Sequence, residues 1–159
     1  MAGDDEKDDV TAGPMIFLDI DGVLRRRTAP LYRLEEPLRR TFEGLLESLP
    51  AVRVVIASSW REAFSLDEIR GHFSAALRDR LVSVTPIATE RDGAYREREV
   101  RAWLRRHAAP GAVWVALDDD ATLYSSSAPL VQVDPDRGLD AEAVAAAKER
   151  LGRELPGPR

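Results

Sequence analysis

The chain has 159 residues, 44% of them hydrophobic and 32% charged, proportions that fit one globular domain with a buried core. It contains no cysteine, which excludes a disulfide framework and a thiolate metal site and fits a reducing, cytoplasmic setting. No apolar run approaches the ~20 residues that would span a bilayer, and the N-terminus is acidic and does not read as a signal peptide, so no membrane association is expected.

The net charge of −5 is unevenly spread. Residues 1–13 hold five acids and one Lys, whereas residues 25–107 hold 17 Arg against 12 acids, a net of +5. All the positive charge of that middle stretch is arginine, which suits bidentate phosphate recognition; a general preference for Arg over Lys would produce the same count. Residues 1–13 are expected to form a disordered acidic tail and residues 156–159, Pro-Gly-Pro-Arg, a frayed end. A single domain is expected over residues 14–155.

In chain order, Met15-Ile16-Phe17-Leu18-Asp19 predicts a buried strand that runs into Asp19-Ile20-Asp21-Gly22. Pro37 to Ser48 places Leu38, Phe42, Leu45 and Leu46 at helical spacing. Val52 to Ala57 predicts a second strand, leading into Ser58-Ser59-Trp60 at the start of a helix. Leu66 to Leu77 carries Ile69, Phe73 and Leu77 at i, i+4 and i+8, the pattern of one helix. Leu81 to Thr85 predicts a third strand. Arg96 to His107 predicts a helix with Val100, Trp103 and Leu104 inward. Val113 to Leu117 predicts a fourth strand, followed by Asp118-Asp119-Asp120. Leu130 to Val133 predicts a fifth strand, and a last helix opens at Asp140 or Ala141. Short β-branched runs alternating with helices predict an α/β domain. The expected architecture is Rossmann-like and doubly wound, with a mainly parallel five-stranded sheet and helices on both faces.

In such sheets ligands bind beyond the carboxyl ends of the strands, where three polar clusters fall. Asp19 and Asp21, at i and i+2, are expected to point the same way and share a small space. Such a pair requires a cation or a proton. One carboxylate can then attack phosphorus while the other moves protons; Asp-Gly is also a common turn signal. Asp118 and Asp119 are expected to complete a Mg²⁺ shell with Asp19, whereas Asp120 also suits helix capping. Ser58 and Ser59 offer hydroxyls and N–H groups to a phosphate or to a helix N-terminus. Arg96, one turn before buried Val100, is the candidate counter-charge for phosphate oxygens, with Arg98 the alternative. His72 and His107 show no pattern that links them.

These segments together resemble the haloacid dehalogenase-like (HAD) phosphohydrolase superfamily over roughly residues 14–150. The motifs that carry the likeness are Phe17 to Leu24, Val54 to Trp60, Arg96 to Leu104 and Leu117-Asp118-Asp119. The Ser-Ser-Trp turn, the Arg96 helix and the ending Val133-Asp134-Pro135 further resemble small HAD domains of bacterial RNA-repair-type proteins. The resemblance implies a Mg²⁺-dependent phosphatase with Asp19 as nucleophile and metal ligand. Asp21 would be general acid/base and give its backbone carbonyl to the metal. Ser58 would hold the phosphate with Ser59 beside it, Arg96 would stand where a lysine is usual, and Asp118 with Asp119 would complete the metal site. About a dozen residues separate the first motif from the next helix, too few for a cap domain. The site is therefore expected to be open, suiting a nucleic-acid end or a phosphoprotein, with Arg25-Arg26-Arg27 placed to meet a polyanion. A catalytically silent module that binds a phosphorylated partner and a small-molecule nucleotidase or sugar phosphatase are the alternatives. Oligomeric state is not readable.

Overall fold

The computed structural model describes residues 13–152. The expected acidic tail up to residue 12 and the end beyond residue 152 lie outside the described residues. Twelve elements follow one another, of which five are strands: β1 (Met15–Leu18), β2 (Arg53–Ile56), β3 (Leu81–Val84), β4 (Trp114–Asp118) and β5 (Leu130–Gln132). The helices are α1 (Glu36–Ser48), α2 (Trp60–Ala63), α3 (Leu66–Arg70), α4 (Tyr95–His107) and α5 (Ala141–Gly152), with 3-10 turns at Ala75–Arg80 and Ala121–Leu123.

All pairings are parallel, in the order β3-β2-β1-β4-β5. The chain starts at the centre, builds outward through β2 and β3, then returns to the other side of β1 for β4. The reversal of direction, and hence the ligand crevice of an open α/β sheet, lies between β1 and β4.

The period of two in each strand divides the core into layers. Ile16, Leu18, Val54, Ile56, Val115 and Leu117 face one side, against Phe42, Leu45 and Leu46 of α1 and Ala143, Ala147 and Leu151 of α5. Met15, Phe17, Val55 and Ala116 face the other, against Val100 and Trp103 of α4 and Tyr124. Helices therefore cover both faces, as the pattern predicts. Phe17 sits edge-on to Trp103 and to Trp114, each at 5.6 Å between ring centroids, a favoured aromatic geometry.

The predicted helix over 66–77 is broken. α3 stops at Arg70, and the chain resumes as the 3-10 turn only after Ser74. The periodicity was real, since Ile69, Phe73 and Leu77 are all buried, but a tertiary contact competes with helix continuation. Glu43 of α1, buried itself, takes the backbone N–H of Ser74 at 2.8 Å and its hydroxyl at 2.7 Å. A separate short helix, α2, precedes α3. Extended Phe64 ends it, and a reciprocal capping box between Ser65 and Glu68 starts the next. No helix among the described residues is long and apolar enough to cross a membrane.

The excursion from Leu24 to Glu35 is closed at its base by the Glu35 N–H donating to the Leu24 carbonyl at 3.0 Å. It and the loop after β3 are the places where a cap would be inserted, and neither contains one. Truncating Phe17 to Ala empties the centre of the α4 layer, and is expected to lower unfolding free energy by about 3–5 kcal/mol, measured by denaturant titration.

Candidate active site

Register places the site. Leu18 stands level with Ile56 on β2 and with Leu117 on β4, so Asp19 emerges between the Ser58 turn and Asp118. The ladder continues one step beyond the strand, as the Asp19 N–H donates to the Leu117 carbonyl at 2.9 Å. Asp19, Asp118 and Asp119 converge there, with one carboxylate oxygen from each within 4.8 Å of the others. Asp19 and Asp118 are buried. Burial first, then the charges of Asp118 and Asp119, push the Asp19 carboxyl well above the usual range, while Arg96 pulls it back. Asp118 is raised to about 7, chiefly by burial and against the stabilising Asp120 N–H. Its Oδ1 accepts that N–H at 3.0 Å and its Oδ2 the Tyr124 hydroxyl at 3.4 Å. Bringing three carboxylates together, two of them buried, is unfavourable unless a cation sits among them. An all-oxygen donor set of this kind suits Mg²⁺.

Gly22 shapes the turn that packs against Asp119. Its φ is +85°, and a Cβ there would stand 2.5 Å from both Cγ and Oδ2 of Asp119. Only glycine leaves room for that carboxylate.

Asp21 is not a member of the cluster that Asp19 forms. β1 ends at Leu18, so the i, i+2 rule of a strand no longer applies at Asp21. Its side chain is 42% exposed and lies outside the three-acid cluster. Oδ1 accepts the indole N–H of Trp60 at 3.0 Å and Nη1 of Arg25 at 3.1 Å. Arg25 is buried, and also donates to the carbonyls of Pro30 and Ala29. The arginine run is thus committed within the protein. Arg26 holds Glu35 at 2.7 Å and Arg27 meets Asp136 at 3.3 Å, so the expectation of three arginines facing a polyanion does not hold for Arg25.

Ser58 is fully buried, and its Oγ accepts the Trp60 N–H at 3.2 Å; the hydroxyl proton is left to donate elsewhere. Ser59 is exposed and makes no side-chain cap. Asp120 caps the 3-10 turn through the Thr122 N–H at 3.0 Å, the alternative reading of that residue.

Arg96 is buried and acts electrostatically on both Asp19 and Asp118. Its Nη1 donates to Glu99 at 2.7 Å, while its buried Nε has no partner. A buried orphan donor of this kind calls for an acceptor, an anion or a water. Arg98, in contrast, is exposed and tied to Asp92 and the Glu90 carbonyl, so geometry separates the two candidates.

Sequence reasoning missed the support beneath Arg96. Glu99, with its side chain 1% exposed, bridges Arg96 and Arg61 and also accepts the Ala88 N–H at 2.7 Å. Arg61 in turn donates to the carbonyls of Ser58 at 2.7 Å and Thr85 at 3.0 Å. One buried Arg–Glu–Arg chain therefore ties together the turns after β2 and β3 and the start of α4. The i, i+3 spacing of Arg96 and Glu99 was the available signal; Arg61, next to Trp60, gave none.

A capless, all-parallel α/β domain with an acidic cluster at its switch point has the make-up of a HAD-type domain. The chain belongs to a family described as the HAD domain in Swiss Army Knife RNA repair proteins, whose model matches residues 15–144. No curated protein and no solved structure matches it.

Two substitutions test the local geometry. Gly22→Ala is expected to destabilise the fold by about 1–3 kcal/mol through its positive φ and to weaken Mg²⁺ affinity by displacing Asp119, read by thermal melts with and without Mg²⁺. Glu99→Ala leaves two buried guanidiniums unpaired and is expected to cost about 3–5 kcal/mol, read by urea unfolding.

Proposed function

We propose that this domain is a Mg²⁺-dependent phosphomonoester hydrolase that works through an aspartyl-phosphate on Asp19 and acts on a phosphorylated nucleic-acid end. The observation that carries the reading is the juxtaposition of the Asp19–Asp118–Asp119 cluster with the orphaned, buried Nε of Arg96. Cation-demanding carboxylates and an anion-demanding guanidinium side by side suit a phosphate better than either feature alone.

In this mechanism a carboxylate oxygen of Asp19 attacks phosphorus as the bond to the leaving oxygen breaks. Arg96 and the Ser58 hydroxyl hold equatorial oxygens of the transferring group. Asp21 gives its proton to the leaving oxygen, while Trp60 and Arg25 hold its Oδ1. Water then attacks the acyl phosphate, Asp21 takes its proton, and Asp19 is released. Asp19, Asp118 and Asp119 would hold Mg²⁺, which supplies charge neutralisation between carboxylates and phosphate. In this reading the side chain of Asp21 serves proton transfer, and only its backbone carbonyl would meet the metal.

Two features support a macromolecular substrate. The loops where caps are inserted are short, which leaves the site open to a chain end. The family description names RNA repair.

Asp19→Asn is expected to abolish phosphate release from phosphorylated oligonucleotides and from aryl phosphate while preserving the circular dichroism spectrum, because it removes the nucleophile and relieves like-charge repulsion. EDTA is expected to silence the wild type, with Mg²⁺ restoring it. Undiminished turnover by Asp19→Asn overturns the mechanism. Inactivity of the wild type towards nucleotides, oligonucleotide 5′- and 3′-phosphates and phosphopeptides alike would favour a binding module.

A further inference from the structure

Tyr32 stands out on the rim of the site. It is 54% exposed, and is one of three exposed large hydrophobic side chains among the described residues. Its φ is +59°, the only non-glycine residue among them in the left-handed region, an uncommon conformation for a bulky side chain. The backbone before it is pinned by Arg25, whose guanidinium takes the carbonyls of Ala29 and Pro30. The ring itself is braced edge-on by Trp60 at 6.1 Å and by Phe64 at 5.3 Å between centroids. The ring is braced by two aromatic neighbours and left about half exposed, so a planar ligand could stack on it with little further ordering of the side chain.

Position ties that surface to the chemistry. The indole against which Tyr32 rests is the one whose Nε1 holds Asp21. Tyr32 is thus one ring removed from the carboxylate assigned to protonate the leaving oxygen. Beside it lies a cleft of about 510 Å³ lined by Tyr32, Arg33, Leu34, Glu36, Arg39 and His72. Arg39 is held by Glu43 and Glu36, but Arg33 makes no ion pair among the described residues. Arg26 and Arg27, nearby in sequence, are paired with Glu35 and Asp136. An uncovered aromatic face next to an uncommitted arginine is the pairing that single-stranded nucleic acid exploits, through base stacking and backbone charge.

We infer that Tyr32, with Arg33, forms a nucleobase subsite: the base nearest the reacting phosphate stacks on the Tyr32 ring while Arg33 meets the adjoining backbone phosphate. This rests on the reading of the site as a phosphatase of nucleic-acid ends and specifies an unpaired terminal base as what it selects.

The test compares two oligonucleotides that carry the same terminal phosphate, one ending in a normal nucleotide and the other in an abasic residue. In the wild type, kcat/KM is expected to favour the base-bearing end by roughly 10- to 100-fold. Tyr32→Ala is expected to bring that ratio close to one, while Tyr32→Phe and Tyr32→Trp keep it. Taking the ratio cancels any general disturbance of Trp60 or Asp21 caused by the substitution. A wild-type ratio near one, or a ratio unchanged in Tyr32→Ala, overturns the subsite even if phosphatase activity is confirmed.

If no oligonucleotide is hydrolysed, the catalytic reading fails separately, and the subsite is then judged by binding. An oligonucleotide with terminal 2-aminopurine should be quenched on titration with wild-type protein and not with Tyr32→Ala. Absence of quenching, or quenching that survives in Tyr32→Ala, overturns it, as does turnover of a phosphopeptide in preference to both oligonucleotides.

Discussion

Mutual repulsion among Asp19, Asp118 and Asp119 is the constraint around which the catalytic edge is organised. Three carboxylates whose oxygens lie within 4.8 Å, at the end of an apolar sheet, oppose folding unless something positive compensates. The protein itself supplies one such charge, Arg96, and commits part of it to Glu99. The remaining deficit is what a divalent cation would offset. On the proposed reading, metal and phosphate together would satisfy both the acids and the orphaned Nε of Arg96, and neither alone would do so.

Around that centre, polar ties replace the apolar packing found elsewhere. Glu99 and Arg61 connect three segments around Arg96 through contacts with the Ser58, Thr85 and Ala88 backbone. Arg25 and Trp60 do the same for Asp21 from the opposite side. The Arg61–Glu99 and Trp60–Asp21 ties join segments that follow different strands. Such buried networks contribute little net stability compared with apolar packing, but they define geometry. A site with no cap to press it closed depends on that definition.

The fold was legible because its signals are local. β-branched runs of four or five residues and the helix periodicities located every strand and the long helices within a residue or two. The helix over 66–77 misled because Ser74 answers to Glu43, thirty-one positions away, and no periodicity records such a contact. The acids and Arg96 were legible because they follow strands or precede a buried helix face. That Asp21 stands outside the Asp19 cluster was not, since it depends on where β1 stops. Nor was the commitment of Arg25, which three consecutive arginines disguise as a solvent-facing run. Arg61 and Tyr32 were invisible for the same reason: what matters about them is which neighbours they meet in space.

The level ends of β1 and β4 give the site a built-in proofreading property. Asp19 and Asp118 meet only because Leu18 pairs with Leu117. A slip of one residue would turn Asp118 toward the opposite layer and exchange its apolar neighbours between the two core layers. Correct sheet assembly and catalytic competence would then be gained in the same event. A misregistered chain would have no metal site to recruit an ion, so metal uptake would report which molecules had folded true.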